Sequence, residues 1–191
     1  DSDWARIVRV LQSRSLDLRR DIRLACLTIF KNHGSQAGAT LSHPHTQIIA
    51  TPVVPALIAS EMMEISRYVA FRQRCPLCDM IVQETANGVR VVSANASFTV
   101  VAPFASRVPF ELLVIPVRHN PDFDSISGDE VRDLGQILAG VFRQLAAAIG
   151  ETAFNLVVHT APLRNQGGSA AAQQDYHWHV EILPWVSGPA G

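Results

Sequence analysis

The sequence predicts an α+β protein made of two related halves, and three observations carry that prediction. Short apolar runs rich in β-branched residues occur beside stretches with helical periodicity. The chain has 191 residues, 48% of them apolar, which is enough for one large domain or two small ones with a sizeable core. The sequence also echoes itself. Leu27-Thr28-Ile29-Phe30-Lys31-Asn32 leads through a Gly-containing loop to His43-Pro44-His45 and an apolar run ending at Thr51-Pro52. Asn155-Leu156-Val157-Val158-His159-Thr160 leads through another such loop to His177-Trp178-His179 and an apolar run ending at Pro184. Two copies of one supersecondary unit explain this better than chance. The boundary is expected between 66 and 75, giving segments 1–66 and 67–191.

Taken in order, residues 4–19 read as an amphipathic helix, with Trp4, Ile7, Val8 and Leu11 on one face. Residues 24–30 form a buried strand, followed by a Gly-containing turn over 32–38. Alternation resumes over 43–50, where Pro44 suits an edge or a strand start. Residues 55–72 read as a helix with Pro55 in its first turn, ended by Cys75-Pro76-Leu77-Cys78. Strands are expected over 89–92, 98–102 and 111–116. The clearest helix covers 129–148: Val131, Leu134, Ile137, Leu138, Val141 and Leu145 recur at helical spacing, and Ser127 or Asp129 can cap it. A strand over 154–159, a polar loop over 163–175 and a last strand over 177–183 complete the chain.

Composition removes several function classes. The formal net charge is -1, with no long basic run and no aromatic-basic interleaving, so no nucleic-acid partner is expected. No apolar run approaches the roughly 20 residues that cross a bilayer, and no membrane partner is expected. The opening Asp1-Ser2-Asp3-Trp4 has no signal-peptide pattern. Cys75 and Cys78 form a Cys-x-x-Cys and Cys26 lies in an apolar run, which reads as a cytoplasmic protein with a metal or redox pair. The chain does not begin with methionine and its first element resembles the middle of a domain, so a fragment is expected.

Two motifs carry chemistry. On a strand, His43, His45 and Gln47 would share a face. Upstream, Gly34, Gly38 and Thr40 make a small-residue loop where backbone N–H groups could approach a phosphate. A largely neutral imidazole beside such a loop suits attack on phosphorus, and Gln47 can donate to a phosphoryl oxygen without ionising. The alternative is a structural His-Pro-His turn. Cys75 and Cys78 are half of a tetrahedral zinc site, with His119 and His177 as candidate partners downstream. A redox pair and a plain reduced pair stay open beside it. His33 and His159 read as loop and strand-end histidines, Cys26 as a small core residue, and Glu61 and Glu64 as a solvated helix face.

The stretch Asn32-His33-Gly34-Ser35-Gln36-Ala37-Gly38-Ala39-Thr40-Leu41-Ser42-His43-Pro44-His45-Thr46-Gln47 resembles the active-site signature of the galactose-1-phosphate uridylyltransferase family, a branch of the histidine-triad superfamily. The segments from Ala102-Pro103-Phe104 through Pro109-Phe110-Glu111 to His119, and Tyr176 to Pro184, resemble its second half. The resemblance implies two histidine-triad-like halves, each an antiparallel sheet with packed helices, the first incomplete here. It implies a ping-pong reaction. His45 attacks the α-phosphorus of UDP-glucose, glucose 1-phosphate leaves, and galactose 1-phosphate takes the uridylyl group. Gln47 matches the glutamine on the phosphoryl oxygens, and Asn32, Gly38 and Thr40 match positions lining the phosphate. His43 matches a first-half zinc ligand whose Cys-x-x-Cys and histidine partners have no counterpart in this chain. Cys75, Cys78, His119 and His177 match the second-half metal ligands, with zinc as the expected ion and iron as the other choice. Glu61 falls where another branch has a metal-binding glutamate. The family also implies a homodimer, and nucleotide-sugar and hexose 1-phosphate substrates. The hydrolase branch has a histidine at position 47; glutamine instead fits transfer between phosphate acceptors, whose leaving groups need little acid help.

Three rival readings accompany this one. An ADP-sugar phosphorylase or adenylyltransferase would share the motif. A non-catalytic zinc-stabilised nucleotide-binding protein would keep the fold without the adduct. A thiol oxidoreductase would use Cys75 and Cys78.

Overall fold

The computed structural model describes residues 2–41, 43–164 and 170–186. It is α+β, with one antiparallel seven-stranded sheet. The elements run α1 (Ser2–Arg19), β1 (Cys26–His33), β2 (Gln47–Thr51), α2 (Ala56–Arg72), α3 (Pro76–Asn87), β3 (Val91–Ala94), β4 (Phe98–Val101), β5 (Leu112–Pro116), α4 (Gly128–Ile149), β6 (Ala153–His159), α5 (Ala170–Asp175) and β7 (His179–Trp185). Across the sheet the order is β2-β1-β6-β7-β5-β4-β3. Position 66 lies inside α2, and the sheet is continuous between the strands on either side of it.

Strand β1 joins the two echoed units by pairing antiparallel with β6, and Ile29 faces Val158 while Phe30 faces Val157. With His45 set on His179, the hairpin registers Phe30–Gln47 and Val157–Glu181 make Phe30 the counterpart of Val157, one position from the offset of the sequence echo. The two strands are therefore related by a local two-fold axis through the Phe30–Val157 pair, and each carries a hairpin partner outward, β2 beside β1 and β7 beside β6.

Alternation along the strands assigns the faces. Ile29, Leu156, Val158, Val180 and Ile182 point to the layer of α1 and α4 and form the main core with Val131, Leu134, Leu138 and Val141. On the opposite face Val101, Leu113 and Ile115 receive Leu77 of α3, while Ile65 of α2 packs with Ala161 and Tyr176. Helix α4 begins as the sequence indicates. Ser127 accepts from the Glu130 N–H and Glu130 accepts from the Ser127 N–H, satisfying two donors that a helix start leaves orphaned. Helix α3 is the element that the pattern did not reveal. Gln73 closes α2 in a left-handed conformation at φ 58°, Cys75 caps the new helix and Pro76 opens it. Its short apolar stripe is visible only against the sheet that it covers.

Helices α1 and α4 cross in close contact at Gly135, where an added Cβ would lie 2.6 Å from the Ala5 nitrogen and 2.7 Å from its Cα. Trp4 stacks on Phe142 nearby, with ring centroids 5.2 Å apart. A methyl group at this crossing has backbone in its way and must force the helices apart. Gly135→Ala is expected to cost about 1–3 kcal/mol and to lower the melting temperature by roughly 2–12 °C in a thermal melt.

Candidate active site and metal centre

The loop after β1 is built by two glycines. Gly34 sits at φ 80° with Ala153 so close that a Cβ would lie 2.7 Å from the alanine Cβ. Gly38, at φ 83°, ends a short 3₁₀ turn over Ser35–Ala37. The N–H groups of Ala37 and Ala39 donate to the Gly34 carbonyl, and that of Gly38 donates to the Ser35 carbonyl. These three donors are thus held inside the turn. The cavity beside it, about 380 Å³, is lined by residues that include Asn32, Gly34, Ser35, Thr40 and His43.

Strand β2 begins at Gln47, two residues after His45, so His43 and His45 lie in the extended approach to the strand and not on it. Pro44 lacks an N–H for the ladder, which accounts for the late start. Their rings are nonetheless neighbours, with centroids 6.2 Å apart. Nδ1 of His45 lies 3.1 Å from the His43 carbonyl oxygen. A carbonyl only accepts, so Nδ1 carries the proton and Nε2 carries the lone pair. A half-buried imidazole in this tautomer is set up as a nucleophile. Gln47 pairs with Phe30, which puts its side chain on the sheet face shared by Asn32.

The echoed unit repeats the geometry. Nδ1 of His179 donates to the His177 carbonyl at 3.0 Å, the same two-residue reach. Here, however, the imidazole is fully buried.

Sequence reasoning missed the support behind Asn32. Asn155 stands opposite it on β6 and donates Nδ2 to Asn32 Oδ1 at 2.8 Å and to the Ala37 carbonyl at 2.9 Å. Trp185 Nε1 in turn donates to Asn155 Oδ1 at 2.7 Å. With its oxygen so engaged, Asn32 turns its NH₂ towards Gly38, within 3.6 Å of where a Cβ would stand there. The side-chain ladder crosses from one echoed unit to the other, and only strand register reveals it.

The four residues proposed as second-half metal ligands do converge. The ligand atoms of Cys75, Cys78, His119 and His177 all lie within 4.8 Å of one another. His177 Nδ1 is 3.4 Å from Cys75 Sγ and 3.5 Å from Cys78 Sγ, and His119 Nδ1 is 3.6 Å from Cys78 Sγ. A tetrahedral zinc at about 2.3 Å from sulfur and about 2.0 Å from nitrogen sets a sulfur–nitrogen edge of about 3.5 Å. Both imidazoles are locked in the required tautomer. His177 Nε2 donates to the Pro116 carbonyl at 3.0 Å and His119 Nε2 to the Gln174 carbonyl at 2.9 Å, leaving each Nδ1 lone pair inward. Burial raises the Cys75 thiol, but its contacts with His119 and His177 and the Cys78 N–H outweigh it and hold the pKa down to about 5. Burial, followed by the Cys75 charge, pushes Cys78 up to about 12. One thiolate thus faces one thiol in the arrangement seen, a cation that displaced the Cys78 proton would stabilise both as thiolates, and a Cys₂His₂ donor set of this size fits zinc. His43 belongs to neither of the ligand groups found among the described residues.

The second such group is Glu61, His159 and His179. His159 Nδ1 lies 3.3 Å from Glu61 Oε2, its Nε2 lies 3.2 Å from Glu181 Oε2, and its ring stacks on His179 at 4.6 Å. Burial lowers the His159 pKa, yet Glu181 and Glu61 overcome this and raise it to about 9. Burial and then the His159 charge push His179 down to about 4. Arg107 closes the network on Glu181 and Glu111. With both ring nitrogens of His159 facing carboxylates, a proton neutralises this group in the arrangement seen. Glu61 is thus half-buried against the sheet, not on the solvated helix face that spacing suggested.

Comparisons with known proteins identify the family. Residues 27–184 match the family model for the galactose-1-phosphate uridyl transferase C-terminal domain. An ADP-glucose phosphorylase of Arabidopsis thaliana is 33% identical over 166 residues, covering 86% of this chain and 45% of the relative. A galactose-1-phosphate uridylyltransferase of Thermotoga maritima is 27% identical over 180 residues, covering 94% and 55%. The crystal structure of an Arabidopsis thaliana ADP-glucose phosphorylase with bound ADP-glucose superimposes with a TM-score of 0.87 at 28% identity, covering 98% of this chain and 58% of that one. A uridylyltransferase mutant structure gives 0.88 at 25% identity, covering 100% and 62%. The chain spans about half the length of the curated relatives it matches. It belongs to the galactose-1-phosphate uridyl transferase family, through that family's C-terminal domain.

Proposed function

We propose that the protein transfers a nucleotidyl group through a covalent adduct on His45. The observation that carries the reading is the His45 tautomer, with Nδ1–H on the His43 carbonyl and Nε2 free. Nε2 attacks the α-phosphorus of a nucleoside diphosphate sugar, the bond from that phosphorus to the bridging oxygen breaks, and the sugar 1-phosphate departs. An acceptor phosphate oxygen then attacks the same phosphorus and breaks the P–N bond, restoring the neutral imidazole. Neither step needs a proton at position 47, which suits Gln47 as a hydrogen-bond donor to the phosphoryl oxygens. Asn32 and Thr40 would hold the phosphate from the cavity wall, with Gly38 shaping the loop. Zinc held by Cys75, Cys78, His119 and His177 would cross-link α3 to the sheet.

The donor in this reading is UDP-glucose and the acceptor is galactose 1-phosphate, the sugar phosphate in the name of the uridylyltransferase relatives. A second reading takes an ADP-sugar donor with inorganic phosphate as acceptor. It is favoured by the 33% identity to an ADP-glucose phosphorylase. The intact mass of the complete native polypeptide after mixing with each donor decides between them. A uridylyl mass gain supports the first, an adenylyl gain the second, and no gain with either overturns both.

The supporting ladder makes its own prediction. Asn155→Ala removes the donor that fixes Asn32, at about 1–2 kcal/mol for the two bonds. Donor binding is expected to weaken about tenfold while the His45 adduct still forms at saturating donor. Titration of nucleotide binding checks this. A cytoplasmic homodimer completes the proposal. Among the described residues no helix is long and apolar enough to cross a membrane.

A further inference from the structure

Lys31 is the one lysine of the chain, and it is buried, with 8% of its surface exposed. Its register on β1 places it opposite Leu156, so its side chain enters the apolar layer under α1 and α4, beside Trp4, Ile7 and Leu145. Among the described residues no carboxylate comes within ion-pairing distance of its ammonium. Its hydrogen bond runs from Nζ to the carbonyl oxygen of His45, 3.2 Å away. A desolvated ammonium with a single neutral partner is a costly way to fill an apolar position. A Met or Leu would pack there without that cost. What the lysine adds is a fixed point for the peptide group of His45.

We propose that Lys31 is a positioning residue for the nucleophile, holding the His45 peptide so that Nε2 is presented to the α-phosphorus. This rests on the nucleotidyl-transfer reading. The segment 43–46 lies outside any strand ladder, so the Lys31 bond and the His45–His43 bond are what orient the imidazole. A displacement of about 1 Å at a reacting centre costs on the order of 10²-fold in rate.

The test compares Lys31→Met and Lys31→Arg in the complete native polypeptide. Single-turnover formation of the His45 adduct is followed by quenched intact mass, with donor affinity and thermal melting measured alongside. Lys31→Met matches the length of the stem and removes the desolvated charge. It is expected to melt no lower than the native protein, to bind donor within a few-fold of native, and to form adduct about 10²-fold more slowly. Lys31→Arg, which keeps a donor for the carbonyl, is expected to recover most of that rate. Adduct formation by Lys31→Met at the native rate overturns the proposal. So does a lowered melting temperature with the lost rate unrecovered by arginine, which would make Lys31 merely structural. If the native polypeptide itself gives no adduct, the His45 reading fails first, and that outcome is visible without either variant.

Discussion

Replacing His45 by alanine is expected to abolish nucleotidyl transfer in the complete protein, a loss on the order of 10⁴-fold or more, with the fold intact. The size follows from the role. A nucleophile that forms the covalent intermediate divides one difficult displacement into two easier ones, and no neighbouring group can take its place. His43 is close, but its ring centroid stands 6.2 Å from that of His45, too far to make the same in-line approach to phosphorus. Gln47 is not nucleophilic. Stability should change little, because the His45 side chain is only half-buried and its one hydrogen bond is to a backbone oxygen at the surface. Intact mass after incubation with the nucleotide sugar reads the adduct, and a thermal melt reads the fold. A variant that melts as the native protein does and still gains the nucleotidyl mass would remove His45 from the mechanism.

Stripping the Cys₂His₂ centre is expected to have the largest effect on stability. The site links the start of α3 to the loop after β5 and to His177, two residues before β7, which are 41 and 99 positions from Cys78. An ion that binds only the folded chain stabilises it in proportion to RT ln([L]/Kd), about 4 kcal/mol at a thousandfold excess over Kd. For a chain of 191 residues that corresponds to a fall of roughly 10 °C in melting temperature on chelation. Cys75→Ser should reproduce the fall and make the protein insensitive to chelator. His119→Ala, which removes the exposed ligand of the four and not the buried His177, should do so in part. Metal analysis is expected to return one zinc per chain in the native protein and none after Cys75→Ser. A native protein whose melting ignores chelator and whose two thiols titrate freely would identify a plain cysteine pair.

Some of this was legible in the residues because it is local. The helical spacing of Val131 to Leu145, with Ser127 among its cap candidates, specifies α4 without any neighbour. The period-two pattern of the apolar strands, the Gly positions and the two His-x-His motifs depend on chain geometry over a few residues. So does the Cys-x-x-Cys spacing. The echo was readable too, since repetition is a property of the string.

The rest depends on pairs of residues that meet only when the sheet assembles. Asn155 reaches Asn32 because β1 and β6 pair in one register and not the neighbouring one; a slip of one residue would send both amides to opposite faces. Glu61 leaves the solvated face that its helix spacing suggests because α2 lies across the ends of β6 and β7, where two histidines wait for a carboxylate. His119 and His177 were named as partners for the cysteines, but spacing alone could not bring them within 4 Å of sulfur. Lys31 carried no signal, because a lysine in an alternating pattern reads as solvent-facing. Its neighbours across the sheet decide that it is buried, and the chain's return at residue 45 gives its charge a partner. Sequence determined the elements and the reactive groups. The tertiary structure decided their protonation, their orientation and which of them act together, because those properties depend on distance, and distance between remote residues is set only by packing.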